Sequence, residues 1–179
     1  PPRLSFTRWS GDSKLVPADQ FGLSEYQIRI DELFVADPEN TKGPAINDYS
    51  IKCYVKERIR ALSPFLADRK NLVLTARSLS DLPENIQLAM VDKRGEAYGT
   101  LLEVGPDLKD YQIPLKQLKA VKTVILPRPY PTFLPYEYQG KAGDLRIEDL
   151  ESIIISIGPD LNQTDLNRPH GLGIVSVHL

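Results

Sequence analysis

Short runs of β-branched and aromatic residues, each closed by proline, glycine, asparagine or aspartate, recur along the whole chain. Such runs suit a pleated surface and the breakers turn the chain, so the pattern is that of an all-β fold. Fifteen prolines in 179 residues push the same way, since proline is excluded from helix interiors and central strands. Tyr26–Ala36 reads as a strand with Ile28 and Ile30 on one face, ended by the breakers at 37–44. Ile51–Arg60 (IKCYVKERIR) reads as a strand with Ile51, Cys53, Val55 and Ile59 inward. Lys52, Tyr54, Lys56, Arg58 and Arg60 then face outward. Further strands are expected at 71–79, at 109–115, at 121–126 and, closing the chain, at 171–179. Segments 86–92 and 96–104 flank Lys93-Arg94-Gly95 as a hairpin. Segment 127–143 reads as a proline- and tyrosine-rich loop, and 147–157 as a short turn followed by a strand. Helical periodicity is confined to single turns such as Ile147–Leu150. The expected fold is a β-sandwich (jelly roll) of two antiparallel sheets, with at most short helical turns.

A chain of this length forms one domain, here residues 1–179, and buries about 70% of its unfolded surface without needing a disulfide or metal. The single cysteine, Cys53, precludes an internal disulfide. A net charge of −2 lacks the basic footprint of nucleic-acid binding. No apolar run approaches the roughly 20 residues of a membrane span. The opening Pro1-Pro2 reads as the end of an interdomain linker, with 1–10 a candidate linker remnant within the 1–179 span and the chain part of a longer polypeptide.

Nucleophilic catalysis needs a base beside serine or cysteine. The two histidines, His170 and His178, read as packing or surface residues, and Cys53 as a buried structural thiol. No HExxH, CxxC, Walker or GxSxG motif is present, so no catalytic residue is assigned. A jelly-roll lyase site built from tyrosine and basic residues is the enzymatic alternative.

Binding has better support. Sugars offer apolar C–H faces and a rim of hydroxyls, which aromatic platforms and polar side chains recognise. The stretch 126–138 (LPRPYPTFLPYEY) concentrates aromatic rings in a loop stiffened by prolines. Charge is also uneven: 109–141 holds six lysines and arginines against two acids, and 51–60 holds four against one. Basic segments in an acidic protein suit an anionic polymer such as a uronic-acid polysaccharide.

Four stretches carry a resemblance: Lys93–Thr100 (KRGEAYGT), Tyr111–Leu115 (YQIPL), Leu126–Pro135 (LPRPYPTFLP) and a closing Gly-x5-Val-x-Leu strand. Over residues 70–179 the chain resembles the C-terminal accessory domains of Bacteroidetes polysaccharide-utilisation enzymes. These are galactose-binding-like, jelly-roll carbohydrate-binding modules attached to glycoside hydrolases. The resemblance implies a non-catalytic module targeting a parent enzyme to a plant polysaccharide. With these lysines, an acidic pectin is the preferred ligand. A concave sheet face would contribute Lys52, Lys56, Arg77 and Tyr98, and the loop Arg128, Tyr130 and Tyr138. The implied partners are the polysaccharide and the parent's catalytic domain. The chain would be a monomer, exported to the periplasm or cell surface. A non-binding accessory domain is the other alternative. No cofactor is required. Such modules often hold a structural calcium with an aspartate in the last strand. Here that strand, Ile174–Leu179, has none, and acids such as Asp31 remain as hard oxygen donors.

Overall fold

Strict alternation builds the sheets. Across 71–78 Leu72, Leu74 and Ala76 have no exposure, while Val73, Thr75 and Arg77 between them are half-buried. This period of two is that of a strand with one face in a core. The computed structural model describes residues 3–6, 11–17, 23–31, 49–125, 136–141, 143–158 and 168–179. In chain order the elements are β1 (Arg3–Phe6), β2 (Gly11–Pro17), β3 (Ser24–Ile30), β4 (Tyr49–Tyr54), the helix α1 (Lys56–Leu62), β5 (Asn71–Ser78) and β6 (Glu84–Asp92). There follow β7 (Ala97–Val104), β8 (Lys109–Pro114), β9 (Lys119–Ala120), β10 (Lys122–Ile125), β11 (Tyr136–Gln139), β12 (Leu150–Ile157) and β13 (His170–His178).

One sheet has the order β1-β4-β12-β6-β7-β9 and the other β2-β3-β13-β5-β8, and β10 and β11 form a separate ribbon. Every described pairing is antiparallel. The inward faces share one core, with Ile28, Leu74 and Leu172 from the five-stranded sheet meeting Ile86, Leu88 and Ile155 from the six-stranded one. Each such side chain contributes about 1.5–3 kcal/mol by leaving water. The architecture is the antiparallel β-sandwich that the strand pattern predicts.

A buried polar contact joins the two sheets at one end. Glu84 opens β6 and His170 opens β13, and a 2.6 Å hydrogen bond links Oε1 of the first to Nδ1 of the second. Gly171 N–H donates to the other carboxylate oxygen at 3.2 Å, and the Arg168 guanidinium lies 3.4 Å from the first.

Four parts of the sequence-based expectation need correction. The strand expected over 51–60 stops at Tyr54, and Lys56–Leu62 is helical. Val55 leaves the extended region, with φ −117° and ψ −4°, and its carbonyl accepts from Ile59 N–H at 2.9 Å. Val55 and Ile59 are four apart, a spacing that serves a helix face as well as alternation. The second correction is β11, which lies inside the segment read as a loop. Third, the strand begun at Tyr26 starts at Ser24 and ends at Ile30, and residues 32–36 lie outside the described part. Fourth, Arg3–Phe6, inside the stretch read as a linker remnant, is β1 and pairs with β4 in the sheet.

Candidate functional site

The outward face of the six-stranded sheet follows from its register. In β4 the inward residues Ile51 and Cys53 leave Ser50, Lys52 and Tyr54 pointing out. Opposite them on β12 stand Ser156, Ile154 and Ser152, and beyond these Gln87, Ala89 and Val91 of β6. The middle of this face is low and closed: Ala89 and Ser152 have no exposure, and Ser50 and Ser156 share a 2.8 Å hydroxyl hydrogen bond. At β4 the face is open. Tyr54 is 43% exposed, and the Lys52 ammonium lies 5.2 Å from the centre of its ring. That distance is a cation–π contact, so an apolar ring face and a charge stand side by side.

The β10–β11 ribbon lies over the same side. Gln87 Nε2 donates to the Lys122 carbonyl at 2.8 Å, and Val121 N–H to the Ala97 carbonyl at 3.0 Å. Val121 also packs on Val91, Ala97 and Ile154, a small apolar cluster separate from the main core. The ribbon carries Tyr138, half-buried and paired with Thr123. The structure therefore brings Lys52 and the strand bearing Tyr138 to one side of the sandwich. Arg128 and Tyr130 lie outside the described residues.

Lys56, Arg77 and Tyr98 do not join them, contrary to the single sheet face expected from the sequence. Lys56 opens α1 rather than extending β4, and its ammonium pairs with Glu151 at 2.7 Å. That pairing raises the Lys56 pKa. Arg77 belongs to the other sheet and faces outward there. Its guanidinium grips the buried Glu25 carboxylate in a fork, with Nε and a terminal nitrogen donating at 2.7 and 2.9 Å. The hydrogen bonds from Arg77 hold the Glu25 carboxyl below its usual range, against the upward pull of burial. Between them β13 carries Gly173, where a Cβ would run into the Glu25 carboxylate.

Tyr98 points inward at the margin of the six-stranded sheet, 3% exposed, and lines a pocket of about 290 Å³. Its walls include Leu115 and Leu118, which flank the turn from β8 to β9, and Leu145 and Ile147. Burial pushes the Tyr98 phenol pKa up. The sequence picked out Tyr98, but this pocket assembles from segments far apart in the chain and has no local signature. Tyr54 was legible as an outward residue, yet its role as the exposed ring beside Lys52 needed the end of β4 to be known. Cys53 faces the core side but is half-buried rather than buried, and its partial burial raises its thiol pKa. Among the described residues no group of three or more His, Cys, Asp and Glu side chains converges as a metal site requires.

No protein-family model and no curated protein matches the sequence. Solved structures do match in fold. A family 11 carbohydrate-binding module from Clostridium thermocellum, solved in complex with a β-1,3-1,4-mixed-linked tetrasaccharide, is 11% identical with a TM-score of 0.54. The match covers 98% of this chain and 86% of that one. The family 11 module of a cellulosomal cellulase from the same organism is 10% identical over 98% of this chain and 85% of that one, with a TM-score of 0.53. An agarase is 15% identical over 96% of this chain, with a TM-score of 0.51, but only 23% of the agarase chain is covered. At these identities the likeness is one of fold.

Proposed function

We propose that this chain is a non-catalytic carbohydrate-binding module, which holds a parent glycoside hydrolase on a plant polysaccharide outside the cytoplasm. The observation that carries the reading is the fold match along 98% of the chain to a module solved with a bound tetrasaccharide. The contact surface is the outward face at β4 with Lys52 and Tyr54, together with the β10–β11 ribbon. Tyr54 offers a ring to a sugar's C–H face and Lys52 a donor to its hydroxyls or carboxylate. A preference for acidic pectin then rests mainly on Lys52 and the exposed Arg58 and Arg60 of α1, because Lys56 and Arg77 already pair with Glu151 and Glu25.

Electrophoresis through gels containing homogalacturonan, xylan, galactan or mixed-linked β-glucan tests this, with polymer viscosity followed in parallel. Retardation without loss of viscosity is expected. Retardation by homogalacturonan should weaken at high salt and in Lys52→Ala, because exposed charge pairs are screened. Salt-independent retardation removes the pectin preference alone. Falling viscosity with unsaturated products indicates a lyase instead.

A second reading is favoured by one feature. The last residue of α1, Leu62, and Phe65 just beyond it are exposed, the latter to 71%. Such apolar groups suit an accessory domain that buttresses a catalytic neighbour. Retardation by none of the polymers supports it.

A further inference from the structure

The pocket at Tyr98 is distinct from the outward face and has its own chemistry. The Tyr98 Oη is buried and has no hydrogen-bond partner among the described residues. A buried hydroxyl left unpaired is unfavourable, and a ligand hydroxyl would supply its missing partner. The walls are aliphatic, from Leu115, Leu118, Leu145 and Ile147. Two exposed residues of opposite charge, Lys116 and Asp144, also line it. Gly143 closes it against the phenol, since a Cβ there would stand 3.2 Å from Tyr98 Oη.

We infer that this pocket is a second sugar site, which takes one neutral pyranose at a chain end. At about 290 Å³ it falls just below the range of about 300–1,000 Å³ usual for drug-sized ligands, so one ring fills it. Aliphatic walls suit the C–H face of that ring. Tyr98 Oη, Lys116 and Asp144 supply donors and an acceptor for hydroxyls, and their lack of net charge favours a neutral sugar over a uronate. The inference rests on the carbohydrate-binding reading and adds a site to it.

The test is a nitrogen-15 NMR titration of the full 179-residue chain with methyl β-glucoside, methyl β-galactoside and galacturonate. Saturable shifts are expected at the amides of Tyr98, Leu118, Gly143 and Leu145 with a neutral glycoside, and weaker ones with galacturonate. Tyr98→Phe should bind at least tenfold more weakly while melting no lower, since it removes an unpaired hydroxyl. Leu118→Trp, which fills the pocket, should abolish these shifts, and Tyr54→Ala should leave them intact. Shifts confined to β4 and β12, or a Tyr98→Phe variant binding as tightly as the parent, overturn the pocket site but leave the carbohydrate-binding reading standing. No shift with any sugar, and no retardation by any polymer, overturns both.

Discussion

At the scale of single residues, the cations of this chain differ in what they are available to do. Arg77 looks in the sequence like a ligand contact, but the fold sets it across Gly173 from a buried carboxylate. Its work is to keep Glu25 ionised out of water. The folded-state pKa of Glu25 lies below the ordinary value of about 4.3. The pair therefore stabilises the fold above that pH, and its contribution is lost as pH falls through the folded value. Removing one partner of a buried pair costs about 3–5 kcal/mol, and solvent around the partly exposed Arg77 reduces that to about 2. Urea unfolding of Arg77→Ala at neutral pH should show that deficit, and it should shrink as the pH falls through the folded value and Glu25 protonates in both proteins. A deficit that stays constant with pH assigns Arg77 to packing. Lys52 is the contrasting case: its described contact is the ring of Tyr54, which leaves its hydrogen-bonding capacity for a ligand.

Among the elements, the β6–β7 hairpin shows what local sequence determines. Asp92 Oδ1 accepts from the backbone N–H of Arg94 and Glu96 at 2.8 and 3.0 Å, and Gly95 takes φ 83°. An L-residue with a side chain resists that left-handed conformation. Gly95→Ala should therefore lower stability by about 1 kcal/mol in chemical unfolding, with no effect on sugar binding. An unchanged midpoint contradicts the account of the turn. The hairpin, β5, β8, β12 and β13 were legible because alternation and turn residues agreed there. At α1 two signals competed, and a long-range contact decided between them: Val55 N–H donates to the Glu151 carbonyl at 2.9 Å, tying the helix start to β12. No reading of 51–60 alone contains that contact. In β11 the sequence YEYQ is short and follows several prolines, so its pairing with β10 shows only in the fold.

For the whole molecule, the two sheets are held by their common core and by the contact of Glu84 with His170. Both side chains are fully buried, and the residues are 86 apart in sequence. Neither had a local signal, and the sequence reading treated His170 as a packing residue, without its partner. Glu84→Ala leaves His170 and Gly171 N–H without their acceptor, and a loss of about 3 kcal/mol is expected in thermal or urea unfolding. A near-neutral change shows that the core alone fixes the sheets. The candidate site was legible to a similar degree. Lys52 and the ribbon residue Tyr138 do share one side of the sandwich. Lys56, Arg77 and Tyr98 were dispersed by a helix start, by sheet assignment and by strand parity, all set by tertiary contacts.

Isothermal titration calorimetry of the chain with mixed-linked β-glucan and with homogalacturonan decides whether this sandwich binds polysaccharide. Saturable heat is expected with at least one polymer, with no cleavage products and binding at least tenfold weaker in a folded Tyr54→Ala variant. Absence of heat with both polymers, from protein shown to be folded, contradicts polysaccharide binding and leaves the buttressing domain as the function of this fold.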